Sequence, residues 1–188
     1  MIHRQTTKEL IAESLKELFA QKSADKITVK EIAQNCGITT ATFYNHFLDK
    51  YDLIVWIYAE PIKNIIKKVN NGNYHLHDAI FDVVSYFAEN RKFIINAITH
   101  TSGQDSFICH VFRINFQIMS DYIKTTKNIK TLTTKTEMLL KIYVYGTVQL
   151  VCEWLITNMP VPINDFVNFL EEGLPEPLKI YFYENKNS

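Results

Sequence analysis

Apolar residues recur every three or four positions along most of the chain, and the alternation typical of half-buried strands is rare. A stripe from Leu10 to Phe19, with charged residues off it, predicts a first amphipathic helix that begins near Thr6 or Thr7. The pattern as a whole predicts an all-α protein. Longer helices are predicted at 52–69, 76–89, 91–100, 105–127, 134–158 and 164–172, with joints at 70–75, Gly103, the Asn128 region and 159–162, and a short helical tail at 177–184.

Two much shorter helices are predicted between residues 28 and 47. Thr28 is followed three residues later by Glu31, which is the spacing of a capping box and starts a short helix. Gly37 stands where that helix needs a left-handed residue to end, and Thr39 can cap the next helix. Two short helices joined by a tight glycine turn are typical of a helix-turn-helix, whose second helix can enter the major groove of DNA.

The second short helix, residues 39–47, has an apolar inner side and a polar outer side. At about 100° per residue, Phe43 and Phe47 point into a core, and Ala41 and Asn45 lie opposite them. An asparagine amide can pair with adenine and a threonine methyl can pack on thymine, whereas tyrosine, threonine and lysine suit phosphate contacts. We predict that Asn45, Thr40 and Thr42 read bases and that Thr28, Tyr44 and Lys50 hold phosphates. The whole predicted DNA-binding set is Thr28, Thr39, Thr40, Ala41, Thr42, Tyr44, Asn45, His46 and Lys50.

The charge balance argues against a generally basic protein that coats nucleic acid. Twenty Lys and Arg are matched by twenty Asp and Glu. Residues 1–70 hold ten basic and eight acidic residues, a net of +2, and residues 71–188 hold ten and twelve, a net of −2. A local basic face stays compatible with these numbers, and the 47% hydrophobic content predicts a folded chain.

Cysteine use and hydropathy indicate a cytoplasmic protein. Cys36, Cys109 and Cys152 are widely spaced in apolar runs, which predicts buried thiols in a reducing compartment. The N-terminal residues hold no long apolar segment, so no secretory signal is predicted. Three polar residues interrupt the most apolar stretch, residues 138–156, which is therefore not expected to span a membrane.

Candidate catalytic and metal-binding clusters are weak. His75 and His77, beside Asp78, form a polar helix start more simply than a metal pair, because no third ligand stands at the required spacing. Cys109 and His110 are adjacent in sequence, so their side chains diverge on a helix, and Cys109 lies on the apolar stripe. No enzyme activity, cofactor or metal is predicted.

The stretch "TVKEIAQNCGITTATFYNHFLDKYDL", residues 28–53, resembles the N-terminal DNA-binding domain of TetR-type transcriptional regulators. The matching residues are Thr28, Ile32, Ala33, Gly37, Phe43, Tyr44, Phe47, Lys50 and Leu53. Ala41 stands where the family more often has glycine, which bears on how closely the backbone approaches DNA. The resemblance implies a three-helix DNA-binding domain, here residues 1–50, followed by a helical regulatory and dimerisation domain, here residues 51–188.

The stretch "YVYGTVQLVCEWLITNMPVP", residues 143–162, is similar to the C-terminal domain of Firmicutes regulators of the dihydroxyacetone-kinase type. That resemblance implies a homodimer in which helices near the C-terminus pair into a four-helix interface. Apolar residues surround most of 139–156, so that one face can pack on its own domain and another on a partner subunit. The residues expected at this interface are Tyr145, Gly146, Gln149, Trp154, Phe166 and Leu170.

TetR-type regulatory domains often hold a cavity for a small effector, whose binding changes the separation of two DNA-reading heads. The residues expected to line such a pocket are Tyr86, Phe107, His110, Phe112, Arg113 and Tyr143. The expected function is a homodimeric regulator that binds a near-palindromic site on double-stranded DNA and is a repressor released by a small ligand. The alternatives are a transcriptional activator, or an adaptor controlled by a partner protein instead of a free ligand.

Overall fold

The computed structural model describes residues 5–69, 74–101 and 106–183. Within these ranges the regular structure is entirely helical, and the predicted all-α class is confirmed. The elements are α1 (Thr7–Phe19), a 3-10 turn (Ala24–Lys26), α2 (Val29–Asn35), α3 (Thr40–Tyr44), α4 (Lys50–Val69), α5 (Leu76–Glu89), α6 (Arg91–Thr99), α7 (Phe107–Thr126), α8 (Thr134–Ile156), α9 (Ile163–Glu172) and α10 (Glu176–Phe182). We call α1–α3 the reading head and α5–α10 the body.

The predicted caps set the geometry of the reading head. Thr6 begins α1 and Thr28 begins α2, each in a complete capping box with the glutamate three residues later. Between the two helices, the buried Ser14 hydroxyl donates to the carbonyl of Ile32 at 2.8 Å. Satisfied helix ends and one buried cross-link fix the angle between α1 and α2.

Gly37 turns the chain from α2 towards α3. Its φ is +71°, in the left-handed region that non-glycine residues rarely adopt. The amide of Ile38 donates back to the carbonyl of Ala33 at 2.9 Å, which closes the end of α2. The helix that follows is shorter than predicted, because α3 covers only Thr40–Tyr44 and continues as a turn through His46.

Helix α4 joins the head to the body and contains Pro61. A proline inside a helix has no N–H for the carbonyl four residues earlier, here that of Ile57. The hydroxyl of Tyr86, on α5, donates to that carbonyl at 3.2 Å. Burial raises the pKa of Tyr86 to about 12, so the hydroxyl keeps its proton at neutral pH. A side chain from the body therefore supplies the hydrogen bond that Pro61 removes from α4.

The body is built around α8, whose inner face packs mainly on α7 and also contacts α5, α6 and α10, while side chains of α8 reach α9. The indole of Trp154 stacks on Phe166 of α9 with ring centroids 4.7 Å apart, and its N–H donates to the carbonyl of Val161 at 2.9 Å. Asn128, Asn158 and Met159 have positive φ at the two joints that flank α8. The joint predicted at Gly103, residues 70–73 of the joint predicted at 70–75, and the last residue of the predicted tail lie outside the described residues.

Candidate DNA-binding surface and regulatory cavity

The outer face of α3 is exposed and its inner face is buried. Phe43 is fully buried and Phe47 nearly so, whereas the ring of Tyr44 is 57% exposed. Ala41 and Asn45 are exposed on the side away from the two phenylalanines, as the helical spacing predicts. The Asn45 side chain makes no hydrogen bond to the described residues, so both its amide donor and its carbonyl acceptor face solvent. This arrangement suits bidentate pairing with a base edge.

The threonines of α3 divide between structure and surface. Thr39 is the N-cap, and its hydroxyl accepts from the amide of Thr42 at 3.0 Å. The two hydroxyls also lie 2.9 Å apart and form a hydrogen bond. The predicted base reader Thr42 is therefore already paired, and it is half-buried. Thr28 is exposed, but its hydroxyl is also paired, because it donates to a carboxylate oxygen of Glu31 at 3.0 Å. Thr40 is exposed, and no hydrogen bond joins its hydroxyl to the described residues.

Lys50 is placed differently from the prediction. Its ammonium group donates to the carbonyls of Ala24 at 2.8 Å, Asp25 at 3.1 Å and Ile27 at 2.8 Å. An ammonium has three protons, so these bonds use every donor. Partial burial lowers the pKa of Lys50. We correct the phosphate role: the long stem lets Lys50 reach back and hold the 3-10 turn against the start of α4.

The surface beside α3 includes residues that the sequence analysis missed. Leu48, in the turn after α3, is 83% exposed, and Lys26 and Lys30 are exposed near the start of α2. Neither lysine forms an ion pair with a described residue. Leu48 breaks the helical apolar pattern, and this was the signal that could have identified it. His46, in the predicted set, is half-buried at the end of the turn.

A cavity of about 130 Å³ lies in the body between α5, α7 and α8. Phe107 and Tyr143, two of the six predicted pocket residues, line it. Other lining positions of α7 follow the helical repeat: Val111, Asn115, Ile118 and Met119.

The other four predicted pocket residues, Tyr86, His110, Phe112 and Arg113, do not line this cavity. Tyr86 donates to α4, as described above. Phe112 stacks on Tyr145 with ring centroids 3.5 Å apart, towards the outer side of α8. His110 is half-buried and Arg113 is exposed, because both positions are rotated away from the lining stripe of α7.

The predicted dimer residues divide in the same way. Tyr145, Gly146 and Gln149 are exposed on the outer face of α8, and nothing lies within 4 Å of a side chain added at Gly146. Trp154, Phe166 and Leu170 are buried inside their own subunit, so their assignment to an interface is corrected. The exposed apolar residues on the outer side of α8 and α9 are Met138, Ile142, Tyr145, Leu150, Ile156 and Phe169, which we call the α8–α9 face.

Helix α8 is long and apolar enough to cross a bilayer by length and composition, with 44% of its most apolar stretch buried inside the protein. A core helix passes the same test.

Of the three cysteines, Cys152 is buried as predicted, and Cys36 and Cys109 are half-buried. His77 lies 2.7 Å from the carboxylate of Glu171 on α9, which ties α5 to α9.

An exposed short helix held by a helix-turn-helix core, followed by a larger helical body, defines a DNA-binding transcriptional regulator. Residues 6–55 match the N-terminal family described as "Bacterial regulatory proteins, tetR family". Residues 74–174, more than half of the chain, match the TetR-type "Transcriptional regulator C-terminal region". The chain belongs to the TetR family of transcriptional regulators.

Curated relatives of the chain are regulators, not enzymes. It is 29% identical over 87 residues to the dhaKLM operon transcriptional activator DhaS of Lactococcus lactis, an alignment that covers 46% of each protein. It is 26% identical over 141 residues to a helix-turn-helix regulator of Staphylococcus aureus, covering 71% of this chain and 76% of the relative. The solved structure of a dihydroxyacetone kinase operon activator DhaS has the same fold, with a TM-score of 0.64, 18% identity, and coverage of 94% of this chain and 98% of that one.

Proposed function

We propose that the chain is a cytoplasmic homodimeric repressor that binds a near-palindromic operator and is released by a small ligand. In this proposal residues 1–50 form the DNA-binding domain and residues 51–188 the regulatory and dimerisation domain. The observation that carries the proposal is the outer face of α3, where Asn45 presents a free amide while Phe43 and Phe47 anchor the helix from behind.

Asn45, Thr40 and Ala41 are proposed to face base edges, because all three are exposed on α3 or directly after it. Tyr44 and Lys30 are proposed to contact phosphates, since each is exposed at the edge of that surface. Thr28, Thr39 and Thr42 are proposed to lie against the DNA while their hydroxyls keep their hydrogen bonds within the head. The half-buried His46 is proposed to lie at the rim of this surface.

Two heads are needed to read two half-sites about 34–36 Å apart, one per turn of DNA. The α8–α9 face supports a dimer, because large apolar side chains such as Ile142, 67% exposed, and Phe169, 60% exposed, stand in solvent there. Gly146 lies within the same face and leaves room for the backbone of a second α8. A twofold axis through this face would bury its exposed apolar side chains on both subunits at once.

A contact between the body and the head supports regulation at a distance. Asn96, on α6, accepts from the amide of Ala24 at 2.8 Å and donates to the carbonyls of Lys22 at 3.1 Å and Phe19 at 3.3 Å. Phe93, on the same helix, stacks on Phe19 with centroids 4.9 Å apart. A movement of α6 is therefore passed directly to the end of α1 and the 3-10 turn.

The cavity favours a small ligand as the signal. The likeness to an activator of the dhaKLM operon favours a second candidate, a transcriptional activator or an adaptor controlled by a partner protein. A reporter gene placed behind the chain's operator separates the two: a repressor lowers expression until the ligand is added, and an activator raises it.

The reading role is tested with Asn45→Ala in a binding assay on the operator and on random DNA at fixed salt. Loss of the amide is expected to cost about 1–3 kcal/mol on the operator and little on random DNA. Lys30→Ala is the matched control, since loss of one phosphate contact weakens both complexes alike and lowers the salt slope by about one. An equal loss on both DNAs for Asn45→Ala removes Asn45 from base reading.

A further inference from the structure

We infer that the cavity in the body binds a small uncharged ligand that carries one hydroxyl or N–H donor on an apolar skeleton, such as a phenol or a short alcohol. The inference rests on the proposed ligand-responsive function and adds the chemistry of the ligand.

The size and lining of the cavity set the first limits. Its volume of about 130 Å³ is close to that of engineered apolar cavities of about 150 Å³ that hold benzene. Aliphatic and aromatic side chains from α5, α7 and α8 form nearly the whole wall, and no Asp, Glu, Lys, Arg or His is among the described lining residues. A carboxylate or ammonium group entering this wall would lose its hydration without gaining a counter-ion.

The few polar groups on the cavity wall limit the ligand further, because they offer hydrogen-bond acceptors. Both amide protons of Asn115 are used, one on the hydroxyl of Tyr58 at 2.6 Å and one on the carbonyl of Val111 at 2.8 Å. The carbonyl oxygen of the Asn115 side chain accepts no hydrogen bond from the described residues.

The two hydroxyls on the cavity wall have also donated their protons within the protein. Thr147 donates to the carbonyl of Tyr143 at 2.9 Å, and the Tyr143 hydroxyl donates to the carbonyl of Leu170 at 2.9 Å. Each keeps lone pairs and has no proton to spare. Cys152 adds only a thiol, which is a weak donor, and burial raises its pKa to about 11. A ligand that donates is matched by this wall, and a ligand that only accepts is not.

The same asparagine connects the cavity to the reading head. Tyr58 lies on α4, is fully buried, and packs on Phe87 and Phe107 with ring centroids 5.4 and 5.6 Å apart. Both phenylalanines line the cavity. A ligand that bonds to Asn115 and displaces these rings acts directly on the helix that begins at the reading head.

The test compares phenol, toluene and benzoate, which have similar size, by calorimetric titration of the full-length protein. Phenol is expected to bind roughly 2- to 10-fold more tightly than toluene, the net value of one hydrogen bond, and benzoate is expected not to bind. Benzoate binding as tightly as phenol, or no difference between phenol and toluene, overturns the inference.

Two variants locate the site. Ala79→Phe places a ring inside the cavity wall and is expected to abolish phenol binding, whereas Glu89→Phe places the same ring on the exposed side of α5 and is expected to leave it unchanged. Asn115→Leu is expected to bind phenol and toluene equally. Phenol binding that survives in Ala79→Phe places the site elsewhere and overturns the inference.

Operator binding is measured on the same samples, so that the two proposals fail separately. A protein that binds its operator but none of the three compounds contradicts only the ligand assignment. A protein that binds phenol as expected but no DNA contradicts only the proposed DNA-binding function.

Discussion

The reading head and the α8–α9 face both leave large apolar side chains in water, but in different surroundings. On the head, Leu48 and Tyr44 stand singly among threonines, an asparagine and lysines. On the α8–α9 face, Ile142, Leu150 and Phe169 are at least half exposed, and six large apolar residues of α8 and α9 are exposed in all. A mixed surface is suited to the polar and methyl groups of a DNA groove, and a surface with many exposed apolar side chains is suited to a protein partner. The difference supports the proposal that the head binds DNA and that the α8–α9 face binds a second copy of the chain.

Removing the anchor of α3 is expected to have the largest effect and to separate the two regions. Phe43→Ala opens a cavity in the head and is expected to cost about 3–5 kcal/mol of its free energy of unfolding. Hydrogen exchange should show loss of protection in α1–α3 with the body still protected and still dimeric. Tyr44→Ala, which removes an exposed ring from the same helix, is the control and should change stability by less than about 0.5 kcal/mol. Loss of the dimer in Phe43→Ala would contradict the separation.

A charge on the α8–α9 face is expected to have the next largest effect. Ile142→Asp places a carboxylate at the centre of the proposed interface and is expected to weaken dimerisation by at least about 2 kcal/mol. The subunit should stay folded, because the Ile142 side chain is mostly exposed. Sedimentation equilibrium measures the change, and Lys135→Asp, at an exposed position in the first turn of the same helix, is the control. An unchanged dimer would place the interface elsewhere.

The turn between the short helices gives a smaller effect, confined to the head. Gly37→Ala forces a Cβ into the left-handed region and is expected to cost about 1–2 kcal/mol. No neighbour lies within 4 Å of the added atom, so the loss comes from backbone strain alone. Thermal unfolding of the variant should shift only the transition that abolishes DNA binding. Gly146→Ala, inside a helix at φ < 0, is the control and should not destabilise the subunit.

The smallest expected effect is a pH dependence of the head. Glu31 accepts from Lys22 and from the capping groups of Thr28, which lowers its pKa from 4.5 to about 2. A carboxylate with a lowered folded pKa contributes stability above its unfolded pKa and loses it as pH falls towards the folded value. Acid titration should therefore show destabilisation between pH 4.5 and 2 that is smaller in Glu31→Gln. The same slope in both proteins would show that Glu31 does not contribute to it.

The head was predicted well because its signals are local. The Thr28 capping box, the Thr39 cap and the left-handed Gly37 each depend on residues within four positions, and the structure confirms all three. Lys50 was assigned wrongly because its acceptors lie 23 to 26 residues back in the chain.

The body was predicted as helices but not as surfaces. Helix α8 is apolar on all sides, so the pattern alone does not say which side meets α7 and α9. Trp154 and Phe166 were therefore placed at a partner interface and are found in the core, while the exposed Ile142 and Phe169 were missed.

Pro61 and Tyr86 make one hydrogen bond of α4 depend on a side chain of the body. In an unbroken helix, bending costs a backbone hydrogen bond, but in α4 that bond is already absent at Pro61. The replacement comes from the Tyr86 hydroxyl, and this side-chain hydrogen bond can lengthen or rotate when the helix bends. Tyr58, three residues before Pro61, packs on Phe87 and Phe107, so a bend at Pro61 would change how α4 lies on the body.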